Sequence, residues 1–217
     1  MQFVENSPMK WLPVLVLLLA QAPRYTTSFT ATENPISDSG QWINGKAVGI
    51  DWADVQTLPG LAFGTTLPVQ YADPTAVLIG SWASDQEAQG TIRVLSSLTQ
   101  CCHEVEIRLR TTITAHSITG YEINCSVGNG YLQIVRWNGP LNSFAYVNTL
   151  SRGCKDGDIL KAKMIGNVIT VYINDVPVLQ ATDSTFTSGP PGIGFYDSAD
   201  ENWNQFGFVN FTAQNSK

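Results

Sequence analysis

Residues 101–137 read CCHEVEIRLRTTITAHSITGYEINCSVGNGYLQIVRW. Within this stretch Glu104, Glu106, Arg108 and Arg110 alternate with Val105, Ile107 and Leu109. A strict period of two sends one set of side chains into a core and the other to the opposite face of a sheet. A second run follows at Tyr121 to Val127, and a third at Tyr131 to Trp137. Between them stands Asn129-Gly130, a strong hairpin signal, because both central residues of that turn take positive φ. Adjacent strands of such a meander set charges and rings side by side on one open sheet face. That face is where a site is expected.

The rest of the chain agrees with strands and turns. It has 217 residues, 18 Gly and 11 Pro, only 14% charged residues and a net charge of -6. One all-β domain of roughly 190 residues fits this length and can bury a sizeable core. The mildly acidic balance argues against a nucleic-acid or anionic-membrane partner, since no basic stripe is present to release counterions.

The start of the chain reads differently. Lys10 precedes an apolar run from Trp11 to Ala20, and Ala20-Gln21-Ala22 has the small-x-small form of a cleavage site. This pattern predicts a secretory signal over residues 1–22, leaving 23–217 as the mature domain. The run is too short to span a bilayer, which takes about 20 apolar residues, so no membrane partner is expected after cleavage. An exported chain meets oxidising conditions, and Cys101, Cys102, Cys125 and Cys154 then allow three pairings. Either of the first two could reach Cys125 or Cys154, and the sequence does not choose among the three pairings.

No window shows helical periodicity. Strands are expected at Ser28–Thr32, Lys46–Trp52, Leu61–Thr65, Phe144–Leu150 and in the three runs above. A further pair, Ala76–Trp82 and Gly90–Leu95, would join across Asp85-Gln86-Glu87. Ile159–Ile165, Val168–Ile173 and Val176–Ala181 follow through Gly166-Asn167 and Asn174-Asp175, and Gly192–Tyr196 and Phe206–Thr212 close the chain. About a dozen short strands with frequent turn signals mean a sandwich or barrel.

The segment from Gly157 to Val176, then Ala181-Thr182-Asp183-Ser184-Thr185-Phe186-Thr187-Ser188-Gly189 and Gly192-Ile193-Gly194-Phe195-Tyr196, carry a resemblance. So do Arg136-Trp137-Asn138-Gly139 and the closing Gly207 to Ala213. These resemble the laminin-G-like, concanavalin A-like lectin/glucanase jelly rolls of secreted bacterial proteins. The resemblance runs from about residue 26 to the end. It implies an all-β, antiparallel two-sheet jelly-roll sandwich in a single domain, with ligands on the concave sheet. Val209 stands where that family usually has an acidic residue, which puts its structural calcium between the first and last strands in doubt. Asp175 replaces a turn glycine, and Asn-Asp still adopts such a turn.

Three functions fit. The leading expectation is a secreted, non-catalytic module binding an extracellular polysaccharide or glycan, an acidic one included. Its ligand-binding residues would be Glu106, Arg108, Arg110, Tyr121, Gln133 and Trp137, with arginine clamping a carboxylate or diol. The rival is an extracellular polysaccharide enzyme. As a hydrolase it would use Glu104 and Glu106, whose spacing of about 6.6 Å along a strand is permissive. However, His103 to Arg108 does not match the E-x-D-x-x-E type signature of the fold's glucanases, and two arginines nearby would keep both acids ionised. As a polyuronate lyase it would use Arg108, Arg110 and Gln133 on the uronate, with His116 and Tyr121 moving the proton. The lyase motifs are only partly echoed. The third class is a structural or adhesive surface module, whose charged face carries cross-strand ion pairs and nothing more. No cofactor is expected. Neither His103 nor His116 sits in a metal spacing, and the acidic loop Asp197, Asp200, Glu201, Asn202 lacks the calcium-loop order.

Overall fold

The computed structural model describes residues 24–65, 71–96, 98, 102–128, 130–197 and 203–216. The expected leader therefore lies outside the described residues, as do Cys101, Asn129, Asp200, Glu201 and Asn202.

Fifteen strands follow in order: β1 (Arg24–Thr27), β2 (Trp42–Asn44), β3 (Gln56–Leu58), β4 (Leu61–Phe63), β5 (Thr75–Leu78), β6 (Gln86–Val94), β7 (His103–Thr114), β8 (Ser117–Ser126), β9 (Leu132–Gly139), β10 (Phe144–Leu150), β11 (Ile159–Ile165), β12 (Val168–Ile173), β13 (Val176–Thr182), β14 (Gly192–Asp197) and β15 (Phe206–Asn215). Two single turns of 3-10 helix, Gly45–Val48 and Trp203–Gln205, are the helical pieces among the described residues. One sheet has eight strands in the order β13-β12-β11-β6-β15-β4-β3, with β1 paired to β15. The other has seven, β10-β9-β8-β7-β14-β5-β2, and every pairing between named strands is antiparallel. This is the two-sheet sandwich that the sequence predicts.

The core lies between the sheets. Val105, Ile107 and Leu109 of β7 meet Ile92 of β6, Met164 of β11, Ile169 and Val171 of β12, and Phe206, Phe208 and Phe211 of β15 in one buried cluster. Each such side chain, fully buried, contributes roughly 1.5–3 kcal/mol. The meander around residues 101–137 is confirmed, with β7, β8, β9 and β10 adjacent in order. Asn174 and Asp175 both take positive φ, at 52° and 63°, so Asn-Asp makes the β12–β13 turn as expected.

Three local expectations are corrected. The first strand is Arg24–Thr27 and not Ser28–Thr32, because Phe29 at φ 52° breaks the extended run. Residues 46–52 do not form a strand; Gly45–Val48 is a 3-10 turn closed by Gly49. The stretches around 76–82 and 90–95 do not pair with each other. β5 lies in the seven-stranded sheet beside β14 and β2, and β6 in the eight-stranded sheet between β11 and β15. The turn-rich segment between them crosses from one sheet to the other, a distinction that local turn chemistry does not encode.

Of the three cysteine pairings left open, the structure selects one that joins Cys125 to Cys154. Cys125 at the end of β8 bonds to Cys154, 29 residues on. The isolated parallel bridge Val127–Cys154 brings the two segments together.

Candidate functional site

On the seven-stranded sheet, the face turned away from the core carries Glu104, Glu106 and Arg108 from β7. Cross-strand partners share a face, so β8 adds Ser126, Asn124 and Glu122 opposite them, and β14 adds Tyr196, Gly194 and Gly192. β9 contributes Gln133, Val135 and Trp137, and β10 adds Tyr146 and Phe144. This face was expected to be open, with four charges in water. Instead the charges are buried: Glu106 is 0% exposed, Arg108 1% and Glu104 8%. A second apolar cluster of Ile50, Trp52, Ile118, Val135 and Trp137, with Tyr71 and Phe144 packed on it, occupies the same side of this sheet. The alternation of β7 is thus correct, while its polar face is covered as well as its apolar one.

Buried charges must be paired. The Arg108 guanidinium lies 2.5 Å from Glu106 Oε2 and 2.9 Å from Glu122 Oε2, and 3.9 Å from Asp73 Oδ2. The contact to Glu122 is an ion pair too bent for a hydrogen bond. Trp137 Nε1 donates to Glu122 Oε2 at 2.5 Å, and Asn124 Nδ2 donates to Glu122 Oε1 at 3.0 Å. Tyr131 donates its hydroxyl to Glu104. Three carboxyl groups thus surround a single guanidinium, and a fourth, Glu104, lies near enough to feel its charge. Burial, and then the charge of Glu122, push the Glu104 carboxyl up to about 8 against the opposing pull of Tyr131 and Arg108. Asp73 and Glu106 are raised for the same two leading reasons. Burial works against the charge on Arg108, but Glu106, Glu122 and Asp73 outweigh it and raise its pKa.

Above this cluster opens a cleft of about 370 Å³. Its polar lining is Asp73, Glu104, Glu122, Asn124 and Gln133. Its rings are Tyr71, Tyr131, Trp137, Phe144, Tyr146 and Tyr196. Tyr71 stacks on Tyr196 with centroids 6.3 Å apart, and Phe144 meets Tyr71, Trp137 and Tyr146 at 5.1–5.4 Å. Burial, then Asp73 and Glu104, push the Tyr196 hydroxyl up to about 12.

The residues singled out in the sequence separate into three places. Glu104, Gln133 and Trp137 line the cleft. Glu106 and Arg108 are neighbours in the ion cluster and are not among its lining residues. Arg110, Tyr121 and His116 lie elsewhere. A β-bulge between Leu109 and Thr112, with Arg110 at φ 48°, turns Arg110 off the Arg108 face. Its guanidinium donates to the carbonyls of Ser84, Phe186 and Gly166 at 2.7–3.0 Å. Tyr121 pairs with Leu109 and packs in the main core, its hydroxyl on Asp183 at 2.7 Å. His116 sits exposed in the β7–β8 turn, 2.9 Å from Asp51. The set drawn up for a lyase is therefore not brought together.

Asp73, Glu122, Asn124 and the rings other than Trp137 were not singled out. For Glu122 and Asn124 a signal existed, since they alternate with Tyr121, Ile123 and Cys125. Reading it required the register. Counting back from the Thr114–Ser117 pair without a bulge sets Arg108 opposite Ile123; the extra residue moves it opposite Glu122. Asp73 arrives from a loop, and no local pattern announces it.

Among the described residues, Asp73, Glu106 and Glu122 form the one group whose ligand atoms, all within 4.8 Å of one another, could share a metal ion. Arg108 already stands among them as the cation. No such group of carboxylate, imidazole or thiolate ligands lies between β1 and β15 among the described residues, where the resemblance put a calcium in doubt.

No family model matches the chain, and no curated protein does. Solved structures do match in shape. The carbohydrate-binding module CBM66 from Bacillus subtilis superposes with a TM-score of 0.54 at 15% identity, covering 83% of this chain and 96% of that one. The metal-free carbohydrate recognition domain of Emp46p gives 0.56 at 11%, covering 87% and 95%. The β-glucanase of Bacillus licheniformis gives 0.51 at 11%, covering 90% and 97%. At such identities the likeness concerns the fold alone, a two-sheet antiparallel jelly roll shared with these three structures.

Proposed function

We propose that the protein binds a glycan in the cleft on its seven-stranded sheet and does not turn it over. The observation that carries this reading is the combination of a ring wall with a polar floor in one cleft. Ring faces suit the apolar C–H side of a sugar, and Asn124, Gln133 and Glu104 offer hydrogen bonds that fix its orientation. That structures of the same fold include a carbohydrate-binding module and a carbohydrate recognition domain supports the reading. Arg108 is not the ligand clamp: it is buried and engaged with carboxylates. The surplus of carboxyls also favours a neutral or cationic sugar over an acidic polysaccharide. We further propose that the protein is exported; the apolar run ending at Ala22 and the Cys125–Cys154 bond support this.

A hydrolase is the second reading, favoured by Glu104. A carboxyl held up at about 8 inside a cleft is protonated at neutral pH, as a general acid must be. The two readings part in one assay. The protein is incubated with a panel of neutral, cationic and acidic polysaccharides, with retention and new reducing ends measured side by side. Retention without product, lost in Tyr146→Ala, is the expected result. Product that disappears in Glu104→Gln would replace binding with hydrolysis.

A further inference from the structure

We propose that the cleft selects a glycan bearing a free, positively charged amino group, the chemistry of an amino sugar that is not acylated. This deepens the binding reading and rests on it.

The first ground is charge. Asp73, Glu104, Glu106 and Glu122 are buried together, and among the described residues the one cation ion-paired into the group is Arg108. A ligand that enters with a positive charge favours the ionised form of these carboxyls and pairs with it, whereas a uronate or sulfate meets only repulsion from whatever charge they carry. Burial makes this matter, because charges in a low-dielectric site interact more strongly than in water.

The second ground is independent of charge. Two side chains lining the cleft hold polar atoms with no hydrogen-bond partner, Asp73 Oδ1 and Asn124 Oδ1. Asp73 is 5% exposed and Asn124 4%. Both atoms are acceptors. Asn124 has an amide proton on Glu122, so its carbonyl oxygen is the atom left to accept from a ligand. A buried acceptor without a donor is costly. The floor therefore calls for donors. A hydroxyl brings one proton; an ammonium brings three and the charge.

The third ground is the wall. Tyr71, Tyr131, Tyr146 and Tyr196 line the same cleft. Aromatic faces attract a cation as well as the C–H side of a sugar ring. A metal ion fits less well, because it would have to displace the guanidinium that lies 2.5 Å from Glu106 and 2.9 Å from Glu122. An ammonium at Asp73 and Asn124 leaves that ion pair in place.

The test compares a β-1,4-linked glucosamine oligomer with its fully N-acetylated form and with a glucose oligomer of equal length, by calorimetry on the whole protein. The free-amine oligomer is expected to bind about tenfold more tightly or better, as charge-assisted hydrogen bonds exceed neutral ones. Asp73→Asn, nearly isosteric, is expected to remove most of that preference, read as the ratio of amine to acetylated affinity within the same variant. Asp175→Asn, an exposed carboxyl on the β12–β13 turn, serves as control and should change nothing. Equal affinity for the amine and acetylated forms overturns this inference while the glycan reading stands; that comparison needs no variant. An equal loss in Asp175→Asn would mean diffuse attraction of a polycation to an acidic protein, and would also overturn it. If no oligomer binds, and nothing in the wider panel does, both the inference and the glycan reading fall.

Discussion

Arg108 shows how one side chain holds a buried polar layer together. It is not there to meet solvent or ligand; it keeps Glu106, Glu122 and Asp73 compatible with burial. Removing one partner of such a group leaves uncompensated buried charge, at a cost of about 3–5 kcal/mol. Arg108→Ala should lose that much stability in urea unfolding. Arg108→Lys should recover only part, since an ammonium lacks the planar fork. A loss below about 1 kcal/mol for the alanine variant would contradict the ion cluster as described. The cluster also fixes a pH dependence. The Glu104 carboxyl is raised from 4.5 to about 8 in the folded chain, chiefly by burial and then by Glu122, and Asp73 and Glu106 are raised too. Between those two values the native chain holds a proton that the unfolded chain has released, so stability falls as pH rises through the window. A tenfold change in proton affinity corresponds to about 1.4 kcal/mol, so the effect is of the order of a few kcal/mol. Tm should be higher at pH 5 than at pH 8, and Glu104→Gln should flatten that difference. A Tm that rises from pH 5 to pH 8 would refute the raised carboxyl.

At the scale of the element, β14 is built around room for its neighbour. Gly194 pairs with Glu106 across the β14–β7 ladder. A Cβ there would stand 2.2 Å from Glu106 Oε2 and 2.9 Å from Arg108 Nε. The glycines of Gly192-Ile193-Gly194 thus match a resemblance to other chains and, in this one, leave space for an ion pair. Gly194→Ala should cost about 1–3 kcal/mol by overpacking, and should shift the pH midpoint of stability, which a purely packing effect elsewhere in β14 would not do. The bulge of β7 is the other element-scale device. One extra residue near Arg110 puts Glu122 opposite Arg108, and a one-residue slip in register exchanges the faces of every side chain beyond it. Gly120, at φ 135°, lies beside the bulge, where a Cβ would come within 2.6 Å of the Arg110 carbonyl oxygen.

At the scale of the molecule, the two sheets are joined by a large apolar core, and the cleft is a property of the outer face of one of them. The Cys125–Cys154 bond ties the end of β8, beneath that face, to the segment that follows β10. In the chain-entropy account a loop of this length is worth about 3.5 kcal/mol. Cys125→Ala with Cys154→Ala should therefore lower stability by about that amount in denaturant unfolding under non-reducing conditions. An unchanged midpoint would show the link to be idle.

The all-β sandwich was legible in the sequence because a period of two, Asn-Gly and Gly-Asn turns, and runs such as Val168–Ile173 are local signals, and local signals survive in one dimension. So was the placement of Glu104, on a strand whose alternation is visible; Gln133 and Trp137 were also named, on a strand whose parity the sequence leaves ambiguous. The structure alone decided that β5 and β6 part into different sheets. It also decided that Arg110 and Tyr121 leave the site while Asp73 and Glu122 enter it. Each of those outcomes depends on register, on a single bulge residue or on a loop crossing a face. These are set by which packing buries the apolar side chains of both sheets while every buried charge finds a partner. That condition is satisfied between segments far apart in the chain, so no window of the sequence contains it.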